Sequence, residues 1–303
     1  MPRASNDSPV GAAGPLIGVS DPDDPRLALY RDLNDPAGRI RLEADESVFV
    51  VEGRLAVGRL LTSAYAVRSL LVDDRQVIAA GDLVATTRAR GVPVFVGSPA
   101  VVAATVGFAL HRGVVALATR PASLQAGQLL TGVVETATAE KPALVAVLEG
   151  LNDHENIGAL FRNAAAFGVS GVLLDPTSAD PLYRRSVRVS VGHALHVPFA
   201  RLAPWPSGLH QVRAAGFVVA ALSPRPTAAT GVTGVTLDEF KARMSGSGRS
   251  AGVALLLGAE AAGLTEAAQA AAEVAVHIPM ADGVDSLNVA TAAAVAFHAL
   301  AGL

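Results

Sequence analysis

Three observations predict an α/β fold in two parts. Strand-like apolar runs alternate with helical segments along most of the chain, the runs of the second half are apolar without interruption, and Gly and Pro punctuate the boundaries. Uninterrupted apolar strands are buried on both faces, the condition of a mostly parallel sheet covered by helices. The 303 residues suffice for one large or two ordinary domains. The expected organisation is a disordered tail over 1–25, a small α/β domain over 26–120, a linker over 121–142 and a larger α/β domain over 143–303.

The elements follow in order. Residues 1–25 are rich in Pro, Gly, Ser and Asp, and Arg3 is the one basic residue among the first twenty, so a tail is expected and a signal peptide is not. Helices are expected at Val57–Tyr65 and Ala100–Val106, and strands at Val67–Val72, Val92–Val96 and Val114–Ala118. Pro121 to Pro142 has weaker patterning and reads as the linker. Beyond it the strand Ala143–Leu148 leads to a helix Ile157–Phe167, a strand Gly171–Leu174 and a polar, basic stretch Asp180–Arg188. A helix Leu209–Ala215, strands Phe217–Leu222, Val253–Leu257 and Val274–Ile278, and a helix Ser286–Ala301 complete the pattern. No internal repeat is present.

Composition narrows the classes. Hydrophobic residues make up 51% and charged residues 17%, which describes a packing chain. The absence of cysteine excludes disulfides and thiolate chemistry. A formal net charge of −3 exerts no global pull on nucleic acid, so any RNA contact must rest on local basic patches. All but two of the 24 basic residues are arginine, the exceptions being Lys141 and Lys241; codon bias accounts for that ratio more readily than phosphate recognition. Mean hydropathy is +0.41. The twenty uncharged residues Gly91–Leu110 are nevertheless broken by three glycines and two prolines, and the alanine-rich Ser286–Leu303 suits a buried helix, so no membrane span and a cytoplasmic location are expected.

Ligands of open parallel sheets bind beyond the carboxyl ends of the strands, and three such ends carry unusual loops. The first, Leu151–Gly158, runs into a helix on which Ile157, Leu160, Phe161, Ala164 and Gly168 share an apolar face while Arg162 lies about 100° away. A surface arginine pairing with Asp153 or Glu155, and an N-cap role for Asn156, explain those residues equally well. The second loop is Gly258-Ala-Glu-Ala-Ala-Gly263, where Glu260 could serve only as an acid at the start of a helix opened by Gly263-Leu264. The third, Ile278–Asn288, could use Ser286 or Asp285 as a simple N-cap. Small residues in the latter two would let backbone groups approach a ligand, as reading an adenine edge requires.

Taken together, Asn156-Ile-Gly with Arg162-Asn-Ala and Phe167-Gly168, then Leu256-Leu-Gly-Ala-Glu260 with Gly263-Leu264, then Ile278-Pro-Met280 and Ser286-Leu-Asn288, resemble the three motifs of the SpoU/TrmH family of SPOUT-class RNA methyltransferases. The resemblance covers 143–303 and departs from the pattern at Ala259 and Ala261, where many relatives have asparagine and glycine. It implies a C-terminal trefoil knot, an exception to unknotted chains, an obligate homodimer with the first and last helices near the partner, and S-adenosylmethionine as cofactor. The implied cofactor-binding residues are Leu222, Ser223, Leu257, Gly258, Ala259, Glu260, Ile278, Met280, Ser286, Leu287 and Asn288. Arg162 corresponds to the catalytic arginine, and Asn156, Glu260, Ser286 and Asn288 to the polar active-site residues.

Tyr183-Arg-Arg-Ser-Val-Arg188, with Ser190 and Gly192, resembles a stretch near bound RNA, which nominates Arg184, Arg185 and Arg188. Leu27-Ala-Leu-Tyr-Arg31 and Phe49-Val-Val-Glu-Gly53 resemble the ribosomal-protein-like RNA-binding domain of rRNA-modifying members. There Arg26, Arg31, Arg39, Arg41, Arg54 and Arg59 are candidates for phosphate contacts. The implied activity is 2′-O-ribose methylation, with 23S rRNA favoured over tRNA. Bringing an arginine from a pKa above 12 to about 7 costs roughly 7 kcal/mol, so fixing a phosphate and the hydroxyl is the more economical role for Arg162 than full general base.

Competing readings are weaker. His193 and His196 form an H-x-x-H pair with no cysteine or paired acid to complete a metal site, and His154 suits a local hydrogen bond. Gly246-Ser-Gly248 with Gly252 has the wrong spacing for a dinucleotide fingerprint and precedes its strand. A non-catalytic rRNA-binding protein would have no use for Arg162, Glu260, Ser286 and Asn288 together.

Overall fold

The computed structural model describes residues 13–110, 113–138, 142–224, 234–245, 252–260 and 262–301. They divide into two compact units, Met1–Pro121 and Ala122–Leu303.

The first unit contains β1 (Leu16–Val19), α1 (Pro36–Asp45), β2 (Val48–Glu52), α2 (Arg54–Thr62), β3 (Val67–Asp73), α3 (Gly81–Ala89), β4 (Val94–Gly97), α4 (Pro99–Val106) and β5 (Val114–Thr119). Its five-stranded sheet has the order β1-β4-β3-β5-β2, parallel from β1 through β3 and antiparallel at the two β5 pairings. Val50, Leu71, Phe95, Val115 and Leu117 pack with Leu27, Tyr30, Val102 and Val106. The buried Tyr30 hydroxyl shares a 2.7 Å hydrogen bond with Ser69. Leu27 and Tyr30 of the Leu27–Arg31 sequence are thus core residues.

The second unit contains α5 (Ala126–Thr136), β6 (Ala143–Glu149), α6 (His154–Ala166), β7 (Gly171–Leu174), α7 (Arg184–Val189), β8 (Phe199–Arg201), α8 (Leu209–Ala214), β9 (Phe217–Leu222), β10 (Gly234–Thr236), α9 (Leu237–Ser245), β11 (Gly252–Gly258), α10 (Glu266–Ala270), β12 (Val274–His277) and α11 (Val289–Leu300). All seven strands are parallel, in the order β10-β12-β9-β11-β6-β7-β8. The reason for the apolar runs is visible in β6. Leu144, Ala146 and Leu148 join one core with α6, α9 and α11, while Val145 and Val147 join another with α5, α8 and α10.

The structure differs from the sequence expectations at several places. Leu16–Val19, assigned to the tail, is a strand paired with β4, and residues 1–12 lie outside the described residues. The linker contains α5, whose Leu129, Leu130 and Val133 are core residues; 139–141 lie outside the described residues. α2 starts at Arg54, directly after Gly53 at φ +92, and stops at Thr62, where Ser63 turns back to the Leu60 carbonyl. The uncharged stretch 91–110 does form a strand and a helix as expected, β4 and α4, and no described helix is long and apolar enough to cross a membrane.

Candidate active site

Four parallel strands end side by side at one edge of the larger sheet. Leu222 of β9 is level with Leu257 of β11 and Val276 of β12, and Gly258 of β11 is level with Glu149 of β6. Past these ends the chain forms a cavity lined by Leu222 and Ser223, by Leu257, Gly258, Ala259 and Glu260, and by Ile278, Met280, Ser286 and Leu287. Those are the expected cofactor residues except Asn288. Sequence reasoning missed Pro224, Gly263, Leu264, Val289 and Ala292, which also line it. Gly263 and Leu264 belong to the second motif but were not assigned to the cofactor; nothing marked Pro224, Val289 and Ala292.

The loop leaving β11 is folded back on itself. Gly263 N–H donates to the Ala259 carbonyl at 2.8 Å. A Cβ on Gly258 would stand 2.3 Å from the Gly263 carbonyl carbon, so only glycine fits there. Ala261 lies outside the described residues. The helix that follows begins at Glu266 with Thr265 as its cap, two residues later than Gly263-Leu264 suggested.

Asn288 stands beside the cavity as a junction. Its Oδ1 accepts from the amides of Ala290 (3.0 Å) and Thr291 (3.1 Å), which makes it, and not Ser286 or Asp285, the N-cap of α11. Its Nδ2 donates to Asn156 Oδ1 at 3.0 Å and to the Glu260 carboxylate. The structure therefore joins Asn156, Glu260 and Asn288, one from each motif, through a single amide. Ser286 is exposed in the loop and donates to Asp285 at 3.3 Å.

Asn156 is in the first turn of α6, and the cap of that helix is Asp153, which accepts from Glu155 N–H at 2.7 Å. Asn163, one helical face along from Asn156, donates to the Ala290 carbonyl at 2.8 Å and ties α6 to the start of α11. Gly158 explains the glycine of the first motif: a Cβ there would meet Ser186 O and Val189 Cβ, both at 2.7 Å, so α6 and α7 need it to approach. Arg162 is apart from the trio. It is exposed and makes no hydrogen bond or ion pair among the described residues. Glu155, its possible partner by sequence, pairs with Arg185 at 2.6 Å.

His154 packs against Tyr183 in a tilted arrangement with ring centroids 4.2 Å apart, and burial, opposed by Asp180 and Asp153, holds its pKa below the usual 6.5. His193 opens a short 3-10 turn that His196 ends, and no metal-holding cluster exists among the described residues.

The nominated arginines differ in setting. Arg184, Arg185 and Arg188 lie on α7, beside α6. Arg26 is paired with Asp24 at 2.5 Å, and Arg31 donates to the Asp24 carbonyl at 3.2 Å. Arg54 and Arg59 line an open groove between α2 and α3. The Nε atoms of Arg31 and Arg54 are buried without a hydrogen-bond partner among the described residues. Arg39 is not a surface cation. It is 4% exposed, paired with buried Glu43 at 2.9 Å and bonded to the Leu29 carbonyl, so the phosphate role expected of it is withdrawn. The side chain of Arg41 lies outside the described residues.

A family model described as the SpoU rRNA methylase family matches residues 143–298. An uncharacterized tRNA/rRNA methyltransferase of Mycobacterium tuberculosis is 44% identical over 280 residues, spanning 92% of this chain and 90% of that protein. The 23S rRNA (guanosine-2′-O-)-methyltransferase RlmB of Acinetobacter baylyi is 30% identical over 192 residues, 63% of this chain and 71% of that one. The AdoMet-bound rRNA methyltransferase of Sinorhizobium meliloti superposes with a TM-score of 0.72 at 23% identity, over 94% of this chain and 97% of that chain, a match of fold.

Proposed function

The chain belongs to the SpoU rRNA methylase family, and on that premise we propose that it transfers a methyl group from S-adenosylmethionine to a ribose 2′-hydroxyl of RNA in the cytoplasm, 23S rRNA being the favoured substrate. The observation that carries this reading is the junction at Asn288, which gathers one polar residue from each motif at the rim of the cavity.

The cavity suits the donor chemically. Leu222, Leu257, Leu264 and Ile278 supply apolar walls for a flat ring, while Ser223, Glu260 and Ser286 supply polar groups for a sugar and a cation. Gly258, Ala259 and Gly263 leave backbone groups within reach of a ligand edge. When bound, the donor supplies a methyl group already activated on a sulfonium. The ten lining residues named from sequence, Leu222, Ser223, Leu257, Gly258, Ala259, Glu260, Ile278, Met280, Ser286 and Leu287, would hold it. Asn288, whose amide also donates to Asn156, fixes the Glu260 carboxylate at the rim, where it can orient the sugar hydroxyl. Arg162, exposed and without a partner among the described residues, is available to hold an RNA phosphate and the attacking oxygen while the proton leaves late.

Arg184, Arg185 and Arg188 on α7, and Arg26, Arg31, Arg54 and Arg59 in the first unit, are the proposed RNA contacts. The 23S preference is supported by the RlmB likeness and by a separate α/β unit ahead of the family domain. Homodimerisation is part of the proposal; Val295 on α11 is 41% exposed while the opposite face of that helix is buried. So is the knot: β11 inserts between β6 and β9, and the chain then returns past β9 to β12. Mapping 2′-O-methylated positions in rRNA and tRNA from cells with and without the gene tests the reading. A position lost from 23S rRNA supports it, a position lost from tRNA redirects it, and no lost position in any RNA overturns it.

A further inference from the structure

Glu149 ends β6 as a buried carboxylate, 5% exposed, on which donors from two distant loops converge. Trp205 Nε1 donates to Oε1 at 2.6 Å, and the Thr265 hydroxyl donates to the same oxygen at 2.7 Å. The Thr265 amide donates to Oε2 at 2.9 Å. The Thr265 oxygen in turn accepts from Ala268 N–H at 3.2 Å and caps α10.

Thr265 closes the loop that leaves β11 at Gly258 and lines the cavity through Ala259, Glu260, Gly263 and Leu264. The other end of that loop is level with Glu149 in the β6–β11 ladder, where Gly258 is its partner. One residue thus holds both ends of the loop, by strand register at Gly258 and by its side chain at Thr265. Between those ends Gly263 folds back on Ala259 and crowds Gly258. Glu149 itself does not line the cavity.

We propose that Glu149 is a positioning residue for the donor cavity, setting where Gly258, Ala259, Glu260, Gly263 and Leu264 line it, and hence donor affinity, without touching the ligand. This rests on reading the cavity as the donor site. Glu149→Gln is nearly isosteric, but it turns one acceptor oxygen into an NH₂ group facing the Thr265 amide or hydroxyl, two donors opposed. Thr265→Val removes only the hydroxyl, and Thr265→Ser keeps it. Trp205→Phe removes a bond to the same carboxylate from outside the loop.

Titration calorimetry of the full chain with S-adenosylhomocysteine reads the effect without turnover. Glu149→Gln should bind about tenfold more weakly, the factor that ~1.4 kcal/mol represents and the scale of one hydrogen bond to a charged group. Thr265→Val should weaken binding by roughly threefold to tenfold on the same grounds, while Thr265→Ser stays within about twofold of wild type and Trp205→Phe does too. In steady-state assays the loss should fall on KM for S-adenosylmethionine, with kcat at saturation retained.

Wild-type affinity in folded Glu149→Gln and Thr265→Val overturns the proposal while leaving the donor site intact. Should Glu149→Gln fail to fold, equal affinities for Thr265→Val and Thr265→Ser overturn it. A wild-type chain that gives no heat with the probe and none with S-adenosylmethionine overturns both this proposal and the reading beneath it.

Discussion

Exchanging Asn288 for aspartate and for alanine separates two jobs done by one side chain. The Oδ1 atom caps α11 through Ala290 and Thr291, and the Nδ2 group holds Asn156 and Glu260. Aspartate keeps the capping oxygen and places a negative charge at a helix N-terminus, where it is favourable, so the cap survives. Its second oxygen, however, faces the Glu260 carboxylate and the Asn156 oxygen, turning two attractions into contacts between acceptors. Alanine loses both jobs. Loss of the cap costs about 1 kcal/mol, which lowers Tm by roughly 2–4 °C for a unit of this size. Loss of the Nδ2 bonds should lower kcat/KM by about a hundredfold in both variants, the equivalent of ~2.7 kcal/mol of orientation in the transition state. Scanning calorimetry and incorporation of labelled methyl groups into RNA measure the two effects separately. Alanine should lose stability and activity, aspartate chiefly activity. Wild-type turnover by Asn288→Asp would refute the role given to the junction, and an unchanged Tm for Asn288→Ala would refute the cap.

Arg162→Ala should keep donor affinity and Tm, since the side chain is exposed and has no partner among the described residues, yet lose about 10²- to 10³-fold in single-turnover methyl transfer; normal turnover dismisses the assignment. His154 should titrate below 6.5, because burial disfavours its cation in the folded state more than Asp180 and Asp153 favour it. The unfolded chain then takes up that proton first, so the contribution of this group to stability is complete above 6.5 and declines as pH falls from there toward the lower folded pKa. An NMR midpoint at or above 6.5 contradicts this. Leu129→Ala on α5 should destabilise the second unit by about 2–4 kcal/mol in denaturant unfolding, since Leu129 is 4% exposed and fills the space over Gly171; a change below ~0.5 kcal/mol, the range of surface substitutions, would mean that α5 is not docked.

The larger sheet was legible because β6 and β11 are buried on both faces, and burial on both faces leaves no polar residue inside the run. α5 was not. Gly127, Thr131, Gly132 and Thr136 dilute its pattern, and its stability comes from Leu129, Leu130 and Val133 meeting a sheet that sequence periodicity cannot see. β8 and β10, three residues each, exist only by pairing with longer neighbours. In the site, the loops were identified by their place after strands, but the bonding among Asn156, Glu260 and Asn288 joins positions up to 132 apart and comes from topology alone. Asn163, though part of the first motif, and Glu149 were given no role for another reason. Each sits within or at the end of an apolar segment and looks like the ordinary polar edge of an element until its distant partners are known.

The central position of β11 bears on how a nascent chain can assemble. Its two neighbours, β6 and β9, are synthesised well before it. They must stay apart, each presenting an unsatisfied edge, until residues 252–258 emerge to bridge them. Premature zipping of β6 to β9 would seal the slot and have to be undone. Such late, long-range closure slows folding and lengthens the exposure of sticky edges, so a helper that shields β6 and β9 during synthesis would act on the most vulnerable interval in the life of this molecule.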